Sequence, residues 1–182
     1  MSRLTWLAAL VLLLPAAAGA QAIDYARSSI RFTTRQMNVP LEGEFRRFGA
    51  EIRWNPARPE ESQATFEIDT GSVDLGAADF SDEARGRSFF NAVVFPQASF
   101  RSSSVRALAE GRYEVAGRLG IKGVARDIVV PFTVRTESDT RTFEAAFTLK
   151  RLDFRIGEGA WADTGTLADN VEVRLRLVTA GP

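Results

Sequence analysis

Histidine and cysteine are both missing from this 182-residue sequence, and lysine occurs only twice, at Lys122 and Lys150. These absences exclude a Ser-His-Asp or Cys-His catalytic arrangement, histidine-ligated zinc or haem, and any disulfide or cysteine-linked lipid. Acidic and basic side chains balance at 23 each, so the sequence also lacks the excess positive charge of a nucleic-acid interface. Composition alone therefore removes several classes of function.

Carboxylates remain available for chemistry. Asp69, Asp74, Asp79, Asp82 and Glu83 lie close together in the sequence, and paired carboxylates perform acid–base chemistry when a cleft holds them at a suitable separation. Calcium bound by Asp79, Asp82 and Glu83 is a second hypothesis, although their spacing lacks the glycine and the final glutamate of an EF-hand loop. These acids fit turns and a helix start better. We therefore predict no catalytic residue, no metal site and no cofactor.

The first twenty residues predict an export signal. Arg3 is followed by an apolar run over residues 7–14 and by Ala18-Gly19-Ala20, a small-residue pattern typical of a cleavage site. The run is short for a membrane span of about 20 residues, so an uncleaved anchor is the less favoured interpretation. We expect cleavage after Ala20, a periplasmic location and no transmembrane segment in residues 21–182, which are long enough for one domain.

Phenylalanine occurs thirteen times, and most copies recur at every second position with Arg, Glu, Ser or Thr between them. This period places the phenylalanines on one face of a β-sheet. In the first such stretch, residues 28–36, Ile30, Phe32 and Thr34 share a face. Gly43 lies within the next stretch and predicts a bend or bulge there. A curved sheet with its phenylalanine face inward would enclose an apolar cavity.

Strands are predicted wherever this alternation occurs. They cover residues 28–36, 39–48, 50–54, 64–68, 98–103, 112–121, 128–136, 141–149 and 171–179. A short helix is predicted over residues 81–90, after the fourth strand, because Ser81 is a suitable N-cap and Phe80, Ala84 and Phe89 share roughly one face. This pattern is typical of an all-β antiparallel barrel or sandwich, and about eight strands enclose room for one ligand.

Several uncommon stretches follow one another in a fixed order. They are Gly43-Glu44-Phe45, Ser88-Phe89-Phe90, Phe95-Pro96-Gln97-Ala98-Ser99-Phe100, Gly117-Arg118-Leu119-Gly120-Ile121-Lys122-Gly123-Val124, Val130-Pro131-Phe132 and Asp153-Phe154-Arg155-Ile156-Gly157. In these stretches the chain resembles the YceI family, and the resemblance extends over residues 23–178. It departs from the family at Gly120 and Ala125, where threonine is common, at Arg155, where glycine is usual, and in its lack of histidine.

The resemblance implies an extended eight-stranded antiparallel lipocalin-like barrel, exported to the periplasm, whose apolar interior binds a polyisoprenoid lipid such as an isoprenoid quinone or a polyprenyl phosphate. It also implies a homodimer. We therefore expect a binding protein that serves transport or storage rather than an enzyme. A structural or partner-binding dimeric module with a closed core is the alternative, and a carboxylate hydrolase is less favoured.

Burying each CH₂ group of such a lipid contributes about 0.8 kcal/mol, so aromatic and branched side chains bind it without directional contacts. The residues predicted to line the interior are Phe32, Phe45, Trp54, Phe66, Phe89, Phe90, Phe100, Val115, Leu119, Phe132, Phe147 and Leu175. Each of them is equally compatible with an ordinary core. The head-group candidates are Arg46, Arg47, Arg85, Arg87 and Arg101, which flank the apolar segments and which also fit a solvated surface.

Overall fold

The computed structural model describes residues 20–109 and 111–181, which contain ten β-strands, one α-helix and five short 3₁₀ helices. The strands are β1 (Ser29–Gln36), β2 (Val39–Phe45), β3 (Phe48–Arg53), β4 (Gln63–Asp69), β5 (Val73–Asp74), β6 (Gln97–Ala109), β7 (Arg112–Ile121), β8 (Val124–Glu137), β9 (Thr140–Lys150) and β10 (Asn170–Ala180). The helix, α1 (Ala78–Arg85), lies between β5 and β6. The predicted export signal lies outside the described residues, except for Ala20. No helix in the described ranges is long and apolar enough to cross a membrane.

All ten strands belong to one antiparallel sheet, in the order β3-β4-β6-β7-β8-β9-β10-β1-β2-β5. Only Arg46 and Arg47 separate β2 from β3, and only Thr70–Ser72 separates β4 from β5. β3 pairs with β4 at one edge of this order, whereas β2 pairs with β1 and β5 at the other edge. Because β2 leads directly into β3, the two edges meet and the sheet closes on itself. The predicted all-β antiparallel fold with one short helix is confirmed. The strand count is ten rather than eight, since two bends each divide a long strand into two.

The predicted start of the helix is wrong. α1 begins at Ala78, and Ser81 lies inside it rather than at its N-cap. The Ser81 hydroxyl donates a 2.8 Å hydrogen bond to the Ala77 carbonyl and accepts one of 3.0 Å from the Leu75 amide. Its polar atoms therefore satisfy backbone groups on both sides of the turn that leads into the helix. Residues 87–90, predicted as helix, form a turn after it.

The strand directions define two ends of the barrel. The helix end contains the β1–β2 turn at Met37 and Asn38, α1, the β7–β8 turn at Lys122 and Gly123, and the β9–β10 connection over residues 151–169. The terminal end contains residues 20–28, the β3–β4 connection and the β8–β9 turn. The helix end thus carries the two longest connections, one from β5 to β6 and the other from β9 to β10.

Aromatic side chains fill the terminal end. The Trp54 ring lies 4.8 Å from the Tyr113 ring, 5.7 Å from Phe143 and 6.0 Å from Phe132, in edge-to-face arrangements that stabilise aromatic clusters. The amide of Gln21 donates a 2.9 Å hydrogen bond to the carbonyl of Ile52, so the first described residues lie across the edge of β3. Aromatic contacts therefore stabilise the terminal end of the barrel.

Candidate ligand-binding cavity

The inward faces of the strands and α1 enclose a cavity of about 650 Å³. Eleven of the thirteen phenylalanines lie on its wall, and Phe48 and Phe95 are the two that do not. A cavity of this volume is within the range of protein ligand sites, and a wall rich in aromatic and branched side chains is typical of sites for apolar molecules. The alternation in the sequence therefore corresponds to the wall of one cavity.

Every residue predicted to line the interior lies on this wall. They are Phe32, Phe45, Trp54, Phe66, Phe89, Phe90, Phe100, Val115, Leu119, Phe132, Phe147 and Leu175. The wall also includes Phe80, Phe143 and Phe154, which sequence reasoning missed. Phe143 is four residues before Phe147 in β9, so a period of two places both side chains on the same face. The sequence pattern was therefore sufficient to identify Phe143. Phe154 lies in a 3₁₀ turn, where no strand pattern identifies it.

The side of the cavity next to α1 is built from a helix and the turn after it. Phe80 and Ala84 of α1 lie on the wall, followed by Phe89 and Phe90. The Phe90 amide donates a 3.0 Å hydrogen bond to the Ala84 carbonyl, and its ring meets the Phe45 ring edge-on at 5.5 Å. Phe80 is on the wall and is also half exposed, so the cavity reaches solvent beside α1.

Two glycines give the aromatic rings room on the wall. A Cβ atom at Gly43 would overlap the Phe32 ring and Leu75, and one at Gly117 would overlap the Phe100 ring. The pairing of β1 with β2 continues without a shift through Phe32 and Gly43, so the bend or bulge predicted at Gly43 is wrong. The bend lies after Phe45 instead. Gly43 is there because a neighbouring ring occupies the space that a side chain would need.

None of the predicted head-group arginines lies on the cavity wall. Arg46 donates to Asp74 over 2.6 Å and Arg47 to Asp69 over 2.9 Å, beside a separate surface depression of about 410 Å³. Arg85 donates to the carbonyls of Gly71 and Val73 at 3.0 and 2.9 Å, which fixes α1 against β5. Arg87 and Arg101 are exposed and have no hydrogen-bond or ion-pair partner among the described residues. The structure does not bring these five side chains together, and a role for them at a ligand head group stays a prediction.

Three other arginines lie on the wall: Arg31 and Arg53, which are exposed, and Arg151, which is buried. Sequence reasoning missed Arg151. Its side chain is only 4% exposed. Its guanidinium donates five hydrogen bonds of 2.6 to 3.0 Å, to the carbonyls of Ile156, Gly157, Trp161, Leu167 and Ala168. Desolvation lowers the pKa of Arg151, although an arginine still keeps its charge. Since all its donors are used, Arg151 shapes the β9–β10 connection rather than binding a ligand.

Lys122 is the second buried cation at the helix end. Its Nζ donates hydrogen bonds of 2.8 Å to the Arg155 carbonyl and to the Glu158 carboxylate, and one of 3.4 Å to the Ser88 carbonyl. The hydrogen bond and the charge of Lys122 lower the pKa of Glu158. This lysine therefore ties the β7–β8 turn to the segment after α1 and to the β9–β10 connection.

The five acids considered for catalysis or calcium binding do not share a site. Asp69, Asp74 and Asp82 form ion pairs with separate arginines, and Asp79 is exposed. A hydrogen bond from the Gly76 amide, followed by that from Arg46, lowers the pKa of Asp74. Of the five, only Glu83 lies on the cavity wall, where it accepts from the Trp161 indole. Within the described ranges, no group of three or more potential ligands is arranged to hold a metal ion.

Comparisons with known proteins agree with this architecture. Residues 21–179 match the YceI-like domain. A UPF0312 protein of Ectopseudomonas mendocina (strain ymp) is 30% identical over 143 residues, which cover 75% of this chain and 73% of the relative. A UPF0312 protein of Yersinia pestis (strain Pestoides F) is 29% identical over 143 residues, 75% of this chain and 72% of the relative.

Two solved structures share the fold. BcnA of Burkholderia cenocepacia is 38% identical with a TM-score of 0.85, over 87% of this chain and 99% of that one. A polyisoprenoid binding domain from Saccharophagus degradans is 16% identical with a TM-score of 0.70, over 91% of this chain and 99% of that one, a likeness of fold alone. The match to the YceI-like domain spans nearly all of the described residues. The chain belongs to the YceI-like family.

Proposed function

We propose that the mature protein is an exported, periplasmic binding protein that holds a polyisoprenoid lipid in its cavity, for transport or storage, and catalyses no reaction. The lipid would be an isoprenoid quinone or a polyprenyl phosphate. The observation that carries this proposal is the cavity wall, to which eleven phenylalanines and many branched aliphatic side chains contribute. The shared fold of a polyisoprenoid binding domain from Saccharophagus degradans supports the same class of ligand.

Apolar contact is sufficient to bind such a chain. At about 0.8 kcal/mol for each buried CH₂ group, one five-carbon isoprene unit contributes on the order of 3 to 4 kcal/mol before the entropy cost of binding is subtracted. Two or three buried units therefore offset the loss of translational and rotational freedom. Binding of this kind selects chain length and branching rather than one particular polar group.

Three polar side chains on the wall at the helix end are already engaged with the protein. Thr34 donates to the Asn170 carbonyl over 3.1 Å, Glu83 accepts from Trp161, and Arg151 uses all five donors on backbone carbonyls. A buried polar head group would lose its water without gaining these partners. We therefore propose that the chain enters the cavity and the head group stays in water at the opening beside α1.

The alternative function, a structural module with a closed core, has less support. A closed core leaves no voids larger than a few water molecules, whereas this barrel encloses about 650 Å³. We keep the homodimer as part of the proposal, and light scattering of the mature protein tests it. A monomer at all accessible concentrations would remove it without affecting the lipid proposal. No cofactor other than the lipid is proposed.

Organic extraction of natively purified protein, followed by mass spectrometry, tests the function directly. We expect a polyprenyl compound in stoichiometric amount. Titration of the lipid-free protein is the complementary measurement, because both tryptophans of the mature chain, Trp54 and Trp161, lie on the wall and report occupancy by fluorescence. Quinone and polyprenyl phosphate of equal chain length should bind within about threefold of each other, since apolar burial dominates. No lipid in the extract and no uptake of either compound would overturn the proposal.

A further inference from the structure

Exposed apolar side chains are concentrated at one end of the barrel. Among the described residues, eight large apolar side chains are at least half exposed. Five of them belong to the helix end, and we call them the apolar rim: Met37, Val39, Phe80, Val93 and Val94. The other three, Tyr25, Leu108 and Val129, lie apart on the rest of the surface. Single exposed apolar residues are ordinary, but a concentration of them marks an interaction site.

Backbone hydrogen bonds hold the rim residues in place. The Met37 amide donates to the Thr166 carbonyl over 2.8 Å, which fixes the tip of the β1–β2 turn. Val93 and Val94 lie in a short segment that is held at both of its ends. The Val94 amide donates to the Asn91 carbonyl over 2.9 Å, and the Thr70 hydroxyl donates to the Phe95 carbonyl over 2.7 Å. Val93 is nevertheless 95% exposed. These side chains are presented to solvent by an anchored backbone.

The rim is continuous with the cavity. Phe80 belongs to both, because it lies on the cavity wall and is half exposed. A ligand that enters beside α1 therefore passes the rim. A polyisoprenoid lipid is nearly insoluble in water and resides in bilayers, so its entry from a bilayer avoids exposure of the chain to water.

Charges of both signs are interspersed at the helix end. Lys122 pairs with Glu158 and Arg85 with Asp82, while Asp79 and Arg87 are exposed and opposite in sign. An anionic polymer or a strongly charged protein finds no large field of one sign here. Separate apolar side chains on separate loops instead suit shallow insertion into the boundary between lipid head groups and acyl chains.

We infer that the helix end docks on a lipid bilayer through the apolar rim, so that the cavity opens toward the bilayer. This inference rests on the proposed lipid-binding function. Docking is driven by insertion of apolar side chains, so it occurs on zwitterionic phosphatidylcholine and depends little on salt. The bound protein exchanges its lipid with the bilayer without releasing it into water.

Co-sedimentation of the mature protein with phosphatidylcholine vesicles tests this. Val93→Ser/Val94→Ser is the test variant and Leu108→Ser/Val129→Ser is the matched control, since Leu108 and Val129 are 51% and 57% exposed and lie away from the rim. None of the four residues lies on the cavity wall. The test variant should lose vesicle partitioning by about tenfold or more, and addition of Met37→Ser should lower it further. The control should partition like the wild type.

A second readout separates docking from lipid binding. Affinity for a short-chain, water-soluble polyprenyl phosphate, measured by tryptophan fluorescence, should be unchanged in the test variant, whereas lipid transfer between vesicles should slow by a similar factor. Failure of the wild type to sediment with vesicles, or equal losses in test variant and control, would overturn docking even if the soluble lipid binds. Rim-dependent sedimentation without any lipid uptake would support docking and reject the proposed function.

Discussion

The indole Nε1 of Trp161 donates a 3.1 Å hydrogen bond to Oε1 of Glu83, although the two residues are 78 positions apart. The bond joins the β9–β10 connection to α1, and both side chains lie on the cavity wall. The Trp161 ring also lies 5.5 Å from the Phe89 ring. The helix side of the cavity is thus assembled from two segments distant in sequence, and its shape depends on how they are held together.

The turn after α1 offers the most direct test of the cavity as a lipid site. Phe89 and Phe90 are on the wall and only partly buried, so Phe89→Gln/Phe90→Gln should weaken binding of a polyprenyl ligand by about tenfold or more while the fold persists. Fluorescence titration measures the affinity, and circular dichroism checks the fold. Phe48→Gln is the control, because Phe48 is off the wall, and the folded control should bind normally. Equal affinities in the double variant and the wild type would place the ligand elsewhere.

Close packing beneath Phe32 gives a second prediction. Gly43→Ala puts a methyl group into the space of the Phe32 ring and Leu75, so we expect a loss of about 1 to 3 kcal/mol in the free energy of unfolding and weaker lipid binding. The matched control is Gly49→Ala in β3, where the nearest atom, the Glu67 carbonyl oxygen, is 4.0 Å from the new Cβ. Urea denaturation of both variants compares them. A stable Gly43→Ala protein with normal affinity would show that the ring moves aside without cost.

The sequence predicted the strand portion of the wall because β-structure has a period of two. Phe66, Phe100 and Phe132 could be assigned to the inward face from their neighbours alone, and each lies on the wall. The same reasoning extends to Phe143, which was overlooked although it shares the face of Phe147. Alternation thus fixed which residues face inward, without indicating how much space they leave between them.

The helix end was harder to predict because its contacts are not periodic. Serine is a common N-cap residue, yet Ser81 lies inside α1 and its hydroxyl donates to the Ala77 carbonyl. Arg151 looks like any other arginine in an Arg-rich chain, and its five carbonyl partners lie 5 to 17 positions away in an irregular connection. The head-group candidates Arg46 and Arg47 form ion pairs with Asp74 and Asp69, and no periodic pattern indicates these partners.

Arg151 should be among the most sensitive polar positions of the molecule. Arg151→Lys keeps the charge but cannot satisfy five carbonyls, so we expect the free energy of unfolding to fall by about 3 to 5 kcal/mol. Arg101→Lys is the control, since Arg101 is exposed and unpartnered among the described residues, and its change should stay within about 0.5 kcal/mol. Urea denaturation gives both values. A loss below about 1 kcal/mol in Arg151→Lys would mean that water or a rearranged connection replaces the missing donors.

The pairing of Glu158 with Lys122 predicts a dependence of stability on pH. The 2.8 Å hydrogen bond and the charge of Lys122 lower the pKa of Glu158 in the folded protein below its ordinary value of 4.5. Because the folded pKa is the lower one, the stabilisation is fully present above the unfolded pKa and is lost as pH falls through the folded pKa. The advantage of the wild type over Glu158→Gln in free energy of unfolding should therefore stay constant between pH 7 and about pH 5.5 and shrink below about pH 4.5.

A double-mutant cycle assigns this pH dependence to the pair. In a Lys122→Gln background, Glu158 loses the hydrogen bond and the nearest charge, so Glu158→Gln should then change stability by nearly the same amount at every pH. Urea denaturation at a series of pH values supplies the four free energies at each point. The same pH dependence in both backgrounds would assign the titration to other groups around Glu158, such as Arg155 and Arg87, whose charges also lower its pKa.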